Sequence, residues 1–225
     1  MRNLEFTTGE IYHIYNRGTD GRLITLDRFD SDRFIESLLG FNSTRLCGSL
    51  FDVRKGKSED MDSVPIVDII SYCFNPNHFH LILKQNIDQG VAKFMHRFST
   101  GVTNHFNERY HRTGSLFQGT FKAVHVSDND YLLHLSAYVN LNDKIHGITG
   151  RHALLVRSSW SEYKNGFLSV CNKDIIMSQF QGPSDYCDFA LEQSRISIES
   201  KFDKKECAAM GVEGDDYGKK LQHRK

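Results

Sequence analysis

The sequence predicts an α+β protein with a ferredoxin-like β-α-β-β-α-β core, in which an antiparallel sheet carries its helices on one face. Segments that alternate apolar and polar residues, typical of strands, are interrupted by segments with helical periodicity. Two apolar strands also meet at the turn Asn75-Pro76-Asn77, which predicts an antiparallel pair. We expect the opposite face of the sheet to be free to carry a site.

The first part of the core is expected to contain one strand, one helix and a loop. Residues 10–17 alternate and are rich in β-forming residues, so they predict the first strand. A helix over 31–39 follows, with Ser31 as its predicted N-cap. Residues 42–63 mix glycine, serine and charges, and predict a solvated loop with a short strand at 49–53.

The rest of the core alternates strands with amphipathic helices, and each helix has a short polar residue at its predicted start. The segment 110–122 is punctuated by glycines and is expected to be irregular. The predicted elements are strands at 64–74, 78–85 and 123–126, a helix at 89–108 capped by Asp88, and a helix at 129–141 capped by Ser127 or Asp128.

We expect residues 1–150 to form one domain, because the regular alternation of elements stops there. Residues 151–200 predict a mostly helical C-terminal extension, with helices at 175–180 and 186–198. Residues 201–225 are rich in Lys, Asp, Glu and Gly, and predict a flexible tail.

Composition narrows the class of protein. The chain of 225 residues has a formal net charge of zero, so contacts with nucleic acid must come from a local patch. Its five cysteines form no Cys-x-x-Cys pair, which argues against a zinc ribbon and favours reduced thiols in the cytoplasm. We find no signal peptide and no run of the roughly 18 apolar residues that a membrane span needs.

His78 and His80 are separated by one residue on a predicted strand, so both imidazoles face the same side while Phe79 faces the core. Two imidazoles about 6–7 Å apart along a strand can share one metal ion. The alternative is a pair of surface or packed histidines.

Tyr138 and Asn142 are four residues apart on a predicted helix and would share one face. A metal beside them would polarise a phosphoryl oxygen while the tyrosine attacks phosphorus. Mixed imidazole and oxygen ligands leave the choice among Mg²⁺, Mn²⁺ and Zn²⁺ open. The alternative for Tyr138 is a half-buried aromatic residue that anchors its helix.

Residues 91–125 carry five basic residues against the single acid Glu108, with aromatic residues between them. This pattern fits a surface that contacts phosphates and stacks bases, and the alternative is a solvated helix face with a charged loop. The basic residues are Lys93, Arg97, Arg109, Arg112 and Lys122.

Several competing chemistries are excluded because the residues they need are absent. A histidine-triad hydrolase needs a third alternating histidine, but position 82 is Ile82. The sequence has neither a Gly-x-x-x-x-Gly-Lys-Ser/Thr loop nor a His-Glu-x-x-His motif.

Four segments together resemble the HUH single-tyrosine transposases, and within them the REP-associated tyrosine transposases. The segment Asn75 to Leu83 resembles the histidine motif of that family, and the other segments follow in the family's order and spacing. The resemblance spans roughly residues 8–150, and its segments are 12–18, 75–83, 113–122 and 131–142.

The resemblance implies a metal-dependent single-stranded DNA endonuclease and strand transferase that acts at hairpin-forming repeats. His78 and His80 match the ligands of a divalent metal, Mg²⁺ or Mn²⁺, and Asn142 matches the position of a third polar ligand. Tyr138 matches the nucleophile, which forms a 5′-phosphotyrosine and frees a 3′-OH. The expected partner is single-stranded DNA with REP-like hairpins, bound by a monomer or homodimer. The predicted DNA-binding residues are Arg17, Lys93, Arg97, Arg109, Arg112, Gln118 and Lys122.

Two positions depart from the family pattern. Thr120 replaces an arginine, which removes one phosphate contact, and Asp143 replaces a proline, so we expect the helix to run a turn longer. The catalytic pattern is otherwise intact. The alternatives are a domesticated hairpin-binding protein that does not cut DNA, and a metal-dependent hydrolase of small phosphate esters.

Overall fold

A five-stranded antiparallel sheet organises the computed structural model, which describes residues 4–44, 64–166 and 170–209. The strand order is β4-β1-β3-β2-β5, and every neighbouring pair is antiparallel. The order of the first four strands is the ferredoxin-like order, so the predicted fold class is confirmed. The strands are β1 Ile11–Arg17, β2 Val67–Phe74, β3 His78–Gln85, β4 Lys122–His125 and β5 Arg157–Ser158.

Helices α1 (Arg28–Gly40) and α2 (Gly90–Arg109) cover one face of this sheet, as predicted. Every second side chain of β3, starting at Phe79, enters the core that these helices form. Phe34 from α1 and Phe98 from α2 meet there, with ring centroids 5.8 Å apart.

The opposite face is not free, and that expectation is wrong. Helix α3 (Asn129–Asn140) packs on it, so Ile82 of β3 lies in a second core with Leu135 and Val139. Helix α8 (Pro183–Ala209) packs against α3 and contributes Tyr186 to the same core. The short helices between them are α4 Asn142–Ile145, α5 Gly150–Ala153, α6 Trp160–Asn165 and α7 Asp174–Met177.

Helix α1 begins earlier than predicted, because its N-cap is Asp27 and not Ser31. The Asp27 carboxylate accepts a hydrogen bond from the Asp30 amide at 3.1 Å, as an N-cap residue does. Ser31 is instead the fourth helical residue, and its hydroxyl donates to the Leu155 carbonyl at 2.7 Å.

The prediction that Asp88 caps α2 is also wrong, because Gln89 occupies the N-cap with a φ of 56°. The acceptor for the helix start comes from the sheet, since the side-chain oxygen of Gln85 accepts from the Val91 amide at 3.1 Å. Asp128 caps α3 as predicted, and its carboxylate accepts from the Tyr131 amide at 2.8 Å.

The other boundaries differ by a few residues. The predicted strand at 64–74 begins at Val67, and the helix predicted at 175–180 is the shorter α7. The predicted strand at 49–53 lies outside the described residues. Helix α8 runs to Ala209, into the predicted tail, whose residues 210–225 also lie outside them. Within the described part of the chain, no helix combines the length and the apolar character that crossing a bilayer requires.

Candidate functional site

The candidate site lies where the start of β3 meets the end of β1 and the junction of α3 with α4. Strand pairing places Tyr15 opposite His80 and Arg17 opposite His78, so all four side chains lie on the face covered by α3. The rings of His78 and His80 are 5.4 Å apart between centroids, and Tyr15 stacks on His80 at 5.7 Å. The two histidines therefore face the same way, as the alternation of the strand predicted.

His78 lies among three amide side chains. Its Nδ1 lies 2.7 Å from the side-chain oxygen of Asn77, and its Nε2 lies 2.8 Å from Asn75 Nδ2 and 3.1 Å from Asn142 Oδ1. A neutral imidazole carries one N–H, and placing it on Nδ1 satisfies both the Asn77 acceptor and the Asn75 donor. The lone pair of His78 is then on Nε2.

His80 is held by a third histidine, His13. Its Nδ1 lies 2.9 Å from Nε2 of His13 on β1, and the two rings stack with centroids 5.1 Å apart. Burial lowers the pKa of His13 to about 4, so this ring is neutral at pH 7. Because Nδ1 of His80 is engaged by His13, a ligand role for His80 falls to Nε2.

Tyr138 reaches this cluster from α3. Its half-buried ring stands perpendicular to the His80 ring, with centroids 5.5 Å apart. Tyr131 lies two turns earlier on α3, and its pKa is raised by burial first and then by the nearby Tyr15, Asp128 and Tyr138. Two phenols, Tyr15 and Tyr138, therefore contact His80, and Tyr131 lies near both of them.

Asn142 does not share one continuous helix with Tyr138, so the single-helix prediction is wrong in this detail. Helix α3 ends at Asn140, and Leu141 (φ −112°, ψ 21°) separates it from α4. Asn142 nevertheless aims its Oδ1 at His78, while its buried Nδ2 has no hydrogen-bond partner among the described residues. The extra turn expected from the loss of the proline is not present, because α3 ends at Asn140 and Asp143 lies in the separate helix α4.

The residues present fit a divalent cation. His78 Nε2 and Asn142 Oδ1 are both acceptors and lie 3.1 Å apart, so one cation could bind to both atoms. Over the part of the chain that the structure describes, no three His, Cys, Asp or Glu side chains converge as a metal site. A third protein ligand would therefore be an amide oxygen, and a set of two imidazoles and one amide oxygen leaves the identity of the divalent metal open.

Three of the predicted DNA-binding residues surround this site. Arg17, opposite His78, donates from Nε to the side-chain oxygen of Gln118. Lys122 lies opposite Tyr15 on β4, with its Nζ 6.0 Å from the centre of the Tyr15 ring. All three side chains are exposed, so the site has a polar and basic rim.

The other four lie on α2 or directly after it, on the far side of the sheet. Lys93 Nζ donates to the Asp88 carbonyl at 3.0 Å, and Arg97 donates to the Ser43 carbonyl at 2.6 Å. Each residue makes contacts that hold the fold, and their DNA contacts stay untested predictions. Arg112 donates to the Asn107 side chain at 2.9 Å, and Arg109 binds the carboxylates of Asp27 and Asp30.

Three residues of the site escaped the sequence analysis. Asn75 is a typical turn residue by type. Its hydrogen bond to Asn142 joins it to a residue 67 positions away in the sequence. His13 meets His80 only through the register of β1 on β3. His146, directly after α4, is exposed and lies 4.9 Å from the His78 ring between centroids. No local sequence signal indicates the contacts of the last two, because each is the single histidine of its segment, 10–17 or 140–150.

A family model of known proteins matches part of the chain. Residues 59–142 match the family model described as "Transposase IS200 like", which confirms the resemblance over that segment. The match ends at Asn142 and contains both strand histidines and Tyr138.

Among the solved structures that match is that of a REP-associated tyrosine transposase bound to a REP hairpin. It is 10% identical with a TM-score of 0.45, and the match covers 76% of this chain and 88% of that chain. The comparison with curated proteins gave no match.

Proposed function

We propose, on the premise of the IS200-like transposase segment, that this chain is a metal-dependent single-stranded DNA endonuclease and strand transferase acting at hairpin-forming repeats. The observation that carries the proposal is the meeting of Tyr138 with His80 at 5.5 Å, although the two residues belong to different elements and are far apart in sequence. An aromatic residue that only anchors α3 would not need His80 beside it. A tyrosine that attacks a metal-bound phosphate would need the metal ligands this close.

In the proposed reaction, the hydroxyl oxygen of Tyr138 forms a bond to phosphorus and the bond from phosphorus to the 3′ oxygen breaks. The 5′ end of the DNA becomes linked to the tyrosine, and the 3′ oxygen leaves with a proton as a free 3′-OH. A divalent ion held by His78, His80 and Asn142 would polarise the phosphoryl oxygen.

The remaining residues of the site prepare these groups. His13 fixes the ring of His80, and Asn77 holds Nδ1 of His78 so that Nε2 faces Asn142. Arg17 and Lys122 are the cations best placed to contact the phosphates that flank the cleaved one, because both lie on the face that carries the histidines. Gln118, bonded to Arg17, would position that guanidinium.

The proposed substrate is a flexible DNA strand next to a REP-like hairpin. We expect Mg²⁺ or Mn²⁺ to support the reaction, a cytoplasmic location, and a monomer or homodimer as the working unit. The departures at Thr120 and Asp143 favour a second candidate function, a domesticated protein that binds the hairpin without cutting it.

A covalent adduct assay tests the proposal. The full chain is incubated with labelled hairpin-bearing strands taken from DNA that flanks the gene, with Mn²⁺ or with EDTA, and resolved on a denaturing gel. We expect a metal-dependent protein–DNA adduct that Tyr138→Phe abolishes.

Tyr131→Phe is the matched control, since it removes a phenol from the same helix and the same neighbourhood. This variant should keep the adduct. An adduct that persists in Tyr138→Phe would reject the assigned nucleophile, whereas metal-independent hairpin binding with no adduct in wild type would favour the binding-only alternative.

A further inference from the structure

Asn75 is a fully buried side chain between β2 and the turn that leads into β3. Its backbone amide donates to the His78 carbonyl at 2.9 Å, which closes the turn. The Cys73 thiol donates to its side-chain oxygen, with the sulfur 3.6 Å away. Because Oδ1 faces a donor, Nδ2 is the atom that points at the site.

The two hydrogens of Asn75 Nδ2 match two acceptors of the candidate metal site. Asn142 Oδ1 lies 2.7 Å away and His78 Nε2 lies 2.8 Å away. Both distances are those of good hydrogen bonds. One amide nitrogen therefore binds the same two atoms that would bind the cation.

The two acceptors differ in the number of lone pairs that remain available to a metal. The Asn142 carbonyl oxygen has two lone pairs, so it can accept from Asn75 and still bind a metal. His78 carries its N–H on Nδ1, toward Asn77, so Nε2 has a single lone pair and Asn75 already uses it. His78 cannot bind a cation through Nε2 while it accepts from Asn75.

We infer that Asn75 is a positioning residue that competes with the divalent cation for His78, so that metal binding requires the Asn75–His78 hydrogen bond to break. The inference rests on the proposed metal-dependent function. After that bond breaks, one N–H of a fully buried amide loses its acceptor. The cost of such an unsatisfied donor corresponds to roughly a tenfold loss of metal affinity.

Mn²⁺ titration of the full chain, followed by the EPR signal of the free ion, tests the inference without DNA. Asn75→Leu keeps the branching and the number of side-chain heavy atoms but has no donor. Asn75→Ala provides a second variant if leucine disturbs folding, which circular dichroism checks. We expect either variant to bind Mn²⁺ about tenfold more tightly than wild type.

Asn77→Ala is the matched control, because it removes an amide from the opposite nitrogen of the same imidazole. It should not tighten Mn²⁺ binding. Weaker binding by both Asn75 variants would overturn the inference, since Asn75 would then be holding the ligands for the metal. Absence of Mn²⁺ binding in wild type and variants would overturn it as well.

Nitrogen-15 NMR of the metal-free protein gives a readout that a merely structural role would not move. We expect His78 to carry its proton on Nδ1. In Asn75→Leu, the Nε2 resonance should move to the chemical shift of a nitrogen that accepts no hydrogen bond. A proton on Nε2 in the wild-type protein would contradict the inference. If the affinities change as expected but no adduct forms with DNA, the nuclease proposal fails while the competition between Asn75 and the metal stands.

Discussion

Arg109→Met separates a structural arginine from a DNA-binding one. Arg109 forms two hydrogen bonds to the Asp27 carboxylate, at 2.6 and 2.8 Å, and a third to Asp30. Its guanidinium also stacks over Phe29 at 4.8 Å and Tyr110 at 5.1 Å. Methionine keeps most of this packing and removes the charge and the donors.

The expected loss of stability comes mainly from Asp30. The Asp27 side chain is 47% exposed, so its ion pair contributes only about 0.5 kcal/mol. The Asp30 side chain is 2% exposed, and loss of its counter-charge costs about 3 kcal/mol. Asp30 keeps two neutral donors, the Leu26 amide and the Tyr110 hydroxyl, both at 2.8 Å. The sum is about 3–4 kcal/mol in the free energy of unfolding.

Urea denaturation at pH 7, followed by circular dichroism, measures this loss. Adding Asp30→Asn to Arg109→Met should recover about 2 kcal/mol, because the buried charge disappears. A loss below about 1 kcal/mol, or no recovery in the double variant, would refute the assigned structural role. If the folded Arg109→Met protein also lost most of its affinity for DNA, Arg109 would be a DNA contact as the sequence predicted.

Three further predictions test the basic rim of the site, the buried His13 and the C-terminal helix α8. Lys122→Gln should weaken binding of a hairpin-bearing strand and lower the salt slope of log affinity by about one unit, while Lys93→Gln should leave both unchanged in the same fluorescence titration. His13 has a folded pKa of about 4, below its unfolded value of 6.5, so the unfolded state binds the proton more readily between these values. Stability should therefore fall by about 2 kcal/mol from pH 7 to pH 5 in thermal melts, and His13→Gln should remove most of that fall. Tyr186→Phe removes the acceptor of Asn140 Nδ2, at 2.7 Å, and should cost about 1–3 kcal/mol in one cooperative urea transition; a separate early transition would show that α8 unfolds apart from the core.

The local pattern of the sequence was sufficient for the central strands. Strand β3 begins at His78 and ends at Gln85, as predicted, because a turn precedes it and every second residue belongs to a continuous core. The same alternation placed His78 and His80 on one face. This part of the site could be predicted because its geometry is set within one element.

Features that depend on distant partners could not be predicted in this way. Gln85 supplies the acceptor at the start of α2, which no local cap signal reveals. The two residues of β5 are too few to show a pattern, and they pair with the end of β2. The helix at Asn129–Asn140 was predicted, but the face on which it packs follows from the tertiary contacts of Leu135 and Val139 with Ile82.

The candidate site contains both features that are set within one element and features that depend on distant partners. Tyr138 and Asn142 were predicted to share a helical face, and the chain brings Asn142 to His78 even though Leu141 interrupts the helix. The contact of Asn75 with the site could not be predicted from sequence, because an asparagine in a turn and a buried asparagine look the same there. Its contacts with Asn142 and His78 became visible only in three dimensions.

The most direct test of the proposed function is the identity of the residue that carries DNA. The adduct formed by the wild-type protein with Mn²⁺ can be digested with trypsin and nuclease, and the peptide that retains a nucleotide can be sequenced by tandem mass spectrometry. We predict that the modification lies on Tyr138, with the nucleotide attached through its 5′ phosphate. A nucleotide on Tyr131 or Tyr15, or attachment through a 3′ phosphate, would contradict the account.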